Sequence, residues 1–150
     1  MKDTLRAAAH DAAINPARHP DFTLKYLRGH ALSGTTQFTM TGAGAYTLES
    51  NVTTGRKPFS ERGQLEPPQR DDVLQLIDSN DVIATPPSTR TIADDEEPVV
   101  IEVSEGDQAY RLMIWHGDAV KHDRFHAFER GLLALVKELS NGAVLTSPDY

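Results

Sequence analysis

VVIEVSEGDQAYRLMIW, residues 99–115, alternates apolar and polar positions on both sides of Glu105-Gly106-Asp107. Val99, Ile101 and Val103, then Tyr110, Leu112 and Ile114, fall on one face of an extended chain, because successive side chains of a strand point to opposite sides. A Gly-containing turn between two such runs predicts a β-hairpin with one buried face, which places the chain in an antiparallel class. Downstream, the period changes to that of a helix. Phe125, Phe128, Leu132, Leu135, Val136 and Leu139 form a broad apolar stripe over about 121–140, and Asn141-Gly142 supplies a left-handed stop. Upstream, Ala84 to Pro98 combines three prolines, Pro86, Pro87 and Pro98, with the acidic run Asp94-Asp95-Glu96-Glu97, and is expected to be a mobile loop.

Further towards the N-terminus, Val73, Leu74, Leu76 and Ile77 predict a second helix over 69–80. Pro67-Pro68 start it, with Asp71 and Asp72 near the positive end of its dipole. Residues 53–66 are polar and broken by Gly and Pro, which predicts a loop. Phe22, Leu24 and Tyr26 alternate with Thr23 and Lys25, Arg28 to Gly34 reads as a turn, and Thr36, Phe38 and Met40 continue as a second strand. After Gly42-Ala43-Gly44, Tyr46 and Leu48 make a third. Residues 1–20 are expected to be a weakly ordered extension or a short alanine-rich helix, since alanine supplies propensity but little burial. The reading is an α+β domain over 21–142, ordered (α)βββαββα. It has a single antiparallel sheet of about five strands, two helices on one face, and a tail over 143–150.

Composition narrows the chemistry. The 150 residues contain no cysteine, so disulfides, thiolate metal sites and thiol catalysis are excluded. Fifteen Lys and Arg face 22 Asp and Glu, a formal charge of −7, which disfavours nucleic acid and anionic membranes. No stretch approaches the ~18 apolar residues of a membrane span. Asp3, Arg6, His10 and Asp11 interrupt every candidate signal-peptide core, so a cytoplasmic location is expected.

The sharpest constellation is His122, His126 and Glu129, within about 60° of one another on a helical wheel. A His pair at i, i+4 chelates a transition metal such as Zn2+ on some helices. His122 and Glu129 are about 10 Å apart along the axis, so a third ligand would have to come from His116, Asp118 or elsewhere. The competing expectation is two histidines at the rim of an amphipathic helix. Gly29 to Thr36 has phosphate-loop spacing but lacks the lysine and precedes a strand. No G-x-S-x-G elbow surrounds Ser33 or Ser60. Arg56 and Lys57, with Arg62 and Arg70 around Phe59, make a small basic cluster suited to an anionic partner or to plain solvation. Trp115, with His116 beside it and Tyr110 before it, is either core or a partner-binding anchor. Gly131 in mid-helix marks close backbone packing against the sheet or another subunit.

Four stretches carry a resemblance: FTLKYLRG from Phe22, PPQRDDVLQLID from Pro67, VVIEVSEGDQAYRLMIW from Val99, and LLALVKEL ending at Leu139. In element order over about 110 residues, they are similar to the emfourin-like small bacterial proteins, inhibitors of thermolysin-type metalloproteases. The resemblance is one of layout. It implies an α+β fold and a protein partner, and no inhibitory residue carries over. Two functional expectations follow. The first is a non-catalytic protein-binding or regulatory module, monomer or homodimer, presenting a loop or sheet edge to an unidentified protein partner without any cofactor. The alternative is a metal-binding protein or small metal-dependent hydrolase built on His122 and His126.

Overall fold

A computed structural model describes residues 2–30, 34–55, 57–90 and 96–146. The chain runs through α1 (Lys2–Ile14), β1 (Thr23–His30), β2 (Gly34–Thr41), β3 (Ala45–Ser50), β4 (Phe59–Gln64) and α2 (Pro67–Ser79). It continues through β5 (Pro98–Glu105), β6 (Gln108–Trp115), α3 (His116–Ala119) and α4 (Asp123–Leu139). The class is α+β, with one open sheet of six strands in the order β4-β3-β2-β1-β5-β6. Every pairing is antiparallel. After β4, α2 carries the chain across to β5, which pairs with β1. Among the described residues, no helix is long and apolar enough to cross a membrane.

The hairpin over 99–115 forms with Val99 opposite Ile114, Ile101 opposite Leu112 and Val103 opposite Tyr110. Leu24, Tyr26 and Arg28 of β1 share that face with Thr36, Phe38 and Met40 of β2 and with Tyr46, Leu48 and Ser50 of β3. These β1, β2 and β3 residues are all buried. Opposite them lie the apolar residues of α4, of which Phe125, Phe128, Leu132 and Val136 are completely buried.

The sheet exceeds the expectation by one strand. The stretch 53–66, expected to be loop, contains β4. Its inward positions are Phe59, Glu61 and Gly63, so only one of three is apolar and the alternation is invisible. Glu61 accepts the Tyr46 hydroxyl instead of packing as a hydrophobe. The expected turn over Arg28–Gly34 is also shorter, because β1 runs on to His30 and β2 begins at Gly34. Arg28 masks this extension, since it is a buried inward position filled by a charged side chain.

The two expected helices form, the segment expected to be a weakly ordered extension or a short helix forms α1, and the four-residue α3 joins them. α1 is a 13-residue helix whose Leu5, Ala9 and Ala12 enter the core. It packs on α2 and on the β5–β6 end of the sheet. Small side chains suffice here because the helix lies close to its neighbours and little volume remains to fill. The core also reaches beyond α4. Val144 is buried, and Leu145 N–H donates to the Val52 carbonyl at 2.9 Å. The expected mobile loop over 84–98 is tied down at its described ends, with Ser88 N–H donating to the Met113 carbonyl at 3.2 Å. Of the acidic run, Glu96 and Glu97 are structural partners of arginines rather than solvated charges, while Asp94 and Asp95 lie outside the described residues.

Gly131 is closely packed, but against α2 rather than the sheet: a Cβ there would come 2.6 Å from Leu76 Cδ1. A tighter contact holds the β2–β3 turn. A Cβ on Gly42 would fall 1.8 Å from the His19 carbonyl oxygen, while Gly42 N–H donates to the Phe22 carbonyl at 2.6 Å. Backbone on both sides leaves nothing flexible to yield. Gly42→Ala is therefore expected to cost about 1–3 kcal/mol in urea unfolding. A loss under roughly 0.5 kcal/mol would show that this turn shifts freely.

Candidate functional site

The residues singled out by the sequence separate into three places. His116 and His126 come together with a cluster under the sheet. His122 caps α4 and accepts from Phe125 N–H through Nδ1 at 3.4 Å. Beside it, Lys121, Asp123, Arg124 and Asp81 line a depression in which the charges of opposite sign balance. Asp118 is held elsewhere, accepting from Ser88 Oγ–H and from Arg90 Nε–H at 2.9 Å. Both groups depress its carboxyl pKa, the serine bond most. Among the described residues, no group of three or more His, Asp or Glu side chains is arranged to hold a metal ion. The ligand set His122, His126, His116 and Asp118 is thus not assembled, because capping and ion pairing turn two of its members to other work.

The cluster under the sheet joins the central strand to the closing helix. Tyr26 and Glu129 are both fully buried, and the Tyr26 hydroxyl donates to Glu129 Oε2 at 2.6 Å. Arg28 Nη1 stands 4.0 Å from the same oxygen, while Arg28 Nε donates to Glu97 Oε2 at 3.1 Å. Burial raises the Glu129 carboxyl pKa, opposed by the Tyr26 bond and the Arg28 charge. Burial also pushes the Tyr26 phenol well up, and Glu129 adds to it. His116 is lowered, first by burial and then by Arg28. Glu129 Oε1 is buried without a hydrogen-bond partner.

A buried carboxyl, a phenol and two imidazoles are the ingredients of proton transfer. Access decides against that use. Nearby, a crevice touching Arg28 and Glu97 has about 20 Å3 of room for water, one molecule's worth, and neither Tyr26 nor Glu129 lines it. The arrangement therefore works as a polar fastening inside the core. Sequence reading placed His126 and Glu129 on one helix face correctly. It missed Tyr26, Arg28 and Glu97, whose role depends on which strand the helix lands on. The one available signal was an arginine in the strand alternation.

The other side of the sheet is different. Leu27, Val100 and Met113 stand in one row across β1, β5 and β6, with Pro98 and Trp115 paired one step further on. All five are half-buried, and among the described residues of this face only Gly29 is buried. Trp115 lies on this face with Nε1–H donating to the Arg90 carbonyl at 3.3 Å. Arg90 is in turn held by Asp118 and Glu96, which fixes the rim of the patch. Tyr110, expected beside Trp115, is half-buried on the opposite, helix-covered face. Of the basic cluster, Arg56 lies outside the described residues. Lys57 is exposed in the β3–β4 connection and Arg70 pairs with Asp71 at 3.0 Å.

Neither the models of known protein families nor the curated proteins contain a match to this chain.

The cluster makes a two-sided test. Glu129→Ala removes the acceptor of Tyr26 and a neighbour of Arg28, and is expected to cost about 3 kcal/mol or more. Glu129→Gln keeps the shape and an acceptor for Tyr26 without the charge, and is expected to stay within about 1 kcal/mol of wild type. A carboxyl whose folded pKa is raised binds its proton more tightly when folded. Wild-type stability should therefore fall as pH climbs from the ordinary glutamate value through the raised one, a component absent from Glu129→Gln. Thermal unfolding of the three proteins between pH 4 and 8 reads all of this.

Proposed function

We propose that the chain is a non-catalytic protein-binding module whose helix-free sheet face, at the Leu27–Val100–Met113–Trp115 corner, is the surface offered to a partner. The observation that carries the reading is the placement of four large apolar side chains in adjoining rows on the one side of the sheet that, among the described residues, no helix covers. Apolar side chains grouped on an open surface, with an aromatic among them, have the character of binding hot spots. The rim is polar: Lys25, Glu102 and Arg111 form the next row, and Arg111 pairs with Glu102 at 3.3 Å.

The metal-hydrolase alternative has no comparable support, since its ligands point to different neighbours. The layout similar to emfourin-like inhibitors makes a thermolysin-type metalloprotease the partner class to assay first. In such an assay the intact chain is expected to inhibit peptide hydrolysis saturably. The double variant Val100→Glu/Met113→Glu should weaken inhibition at least about thirtyfold, the loss of a ~2 kcal/mol contact, while retaining the wild-type circular dichroism spectrum. Undiminished inhibition by the double variant removes this face as the docking surface. Absence of inhibition by the wild type removes the protease as the partner.

A further inference from the structure

His19 sits between α1 and the β5–β6 hairpin, in the segment that leads from α1 to β1. Its Nε2 is 2.6 Å from Asp11 Oδ2 of α1, and its Nδ1 is 2.6 Å from Glu105 Oε2 at the end of β5. The ring is largely enclosed, with 15% of the side chain exposed. Ionised carboxylate oxygens only accept hydrogen bonds, and a neutral imidazole has one donor. Both contacts are satisfied together only by the doubly protonated ring. Loss of a proton turns a nitrogen lone pair towards a carboxylate and leaves Asp11 and Glu105 without the cation between them.

We propose that His19 is a proton-dependent latch: its imidazolium clamps the C-terminal end of α1 to the β5–β6 hairpin, and its deprotonation releases α1 from the end of the sheet. α1 is suited to release. Its core contribution is Leu5, Ala9 and Ala12, so polar ties carry much of its attachment. At its other end Arg6 donates to Asp81 through Nε at 3.0 Å and Nη2 at 2.7 Å. His10 Nδ1 lies 3.0 Å from Asp78 of α2 with most of its side chain in water, where screening weakens the pair.

The groups acting on His19 are Asp11 and Glu105, both of which raise its pKa, the Asp11 bond most, with burial opposing. Arg18 and His10 act on Asp11, whose carboxyl is lowered chiefly by His19. The β2–β3 turn packed against the His19 backbone, Thr41 to Gly44, carries no charged side chain. With a raised folded pKa, the latch is fully closed below the ordinary histidine value and opens as pH rises through the raised one. Opening bares apolar surface at the β5–β6 end, on the side of the sheet opposite the Trp115 patch.

Amide hydrogen exchange on the full chain, corrected for intrinsic rates, tests this at pH 5.5 and 8.5. Protection over residues 6–14 is expected to fall at least about tenfold at the higher pH, the equivalent of one pKa unit, while β1 and β2 keep theirs. His19→Gln should show low α1 protection at both pH values, and His10→Gln should keep the wild-type pH response. Side-chain NMR of the unaltered protein supplies an independent reading, with His19 expected to titrate above its ordinary value of about 6.5. Equal α1 protection at the two pH values, a wild-type response in His19→Gln, or a His19 midpoint at or below 6.5 would each overturn the latch.

Discussion

The hydrogen bond from Tyr26 to Glu129 ties the middle of the central strand to the middle of the longest helix, with both partners fully buried. Its cost sets the terms for its surroundings. A buried carboxyl needs hydrogen bonds and opposite charge. Arg28, two residues along the same strand face, brings the charge and is itself balanced by Glu97 at the start of β5. One polar line thus runs from α4 through β1 to Glu97, just before β5, and fixes how the helix sits over the sheet. Apolar packing by Phe125, Phe128, Leu132 and Val136 supplies most of the driving force. It is tolerant of small slips, whereas the polar line is not.

With the helices committed to one side, the opposite face of the sheet meets water. Polar and charged residues occupy most of it, as an antiparallel sheet with one solvated face requires. The exception is the corner where Leu27, Val100, Met113 and Trp115 gather. Its rim is kept in shape by the clamp of Arg90 with Asp118 and Glu96, which also satisfies the start of α3 through Gly117 N–H on Glu96. Two of the residues that resembled chemistry in the sequence have structural partners: His122 caps α4 and Asp118 clamps Arg90. The apolar corner proposed as a docking surface lies on the other side of the sheet from α4.

Legibility differed by element for physical reasons. The β5–β6 hairpin and α4 were readable because their apolar positions repeat at the period of the structure they form and face the core without interruption. β4 was not, since its inward positions include a glutamate and a glycine that pack only because Tyr46 is opposite. α1 was readable as a helix, but its place in the core was hidden by alanine, whose burial depends on how near the neighbouring elements come. The continuation of β1 through Arg28 was hidden by a charge whose partners are 69 residues away at Glu97 and further still at Glu129.

By itself, the sequence determined the class, the principal strands and helices, and the absence of any cysteine chemistry, because periodicity and composition act locally along the chain. The tertiary structure alone decided which face stays open, that His116 and His126 join Glu129 while His122 and Asp118 do not, and that His19 bridges two carboxylates. Each of those outcomes depends on the register and order in which distant segments are laid side by side, and no local period of residues encodes that.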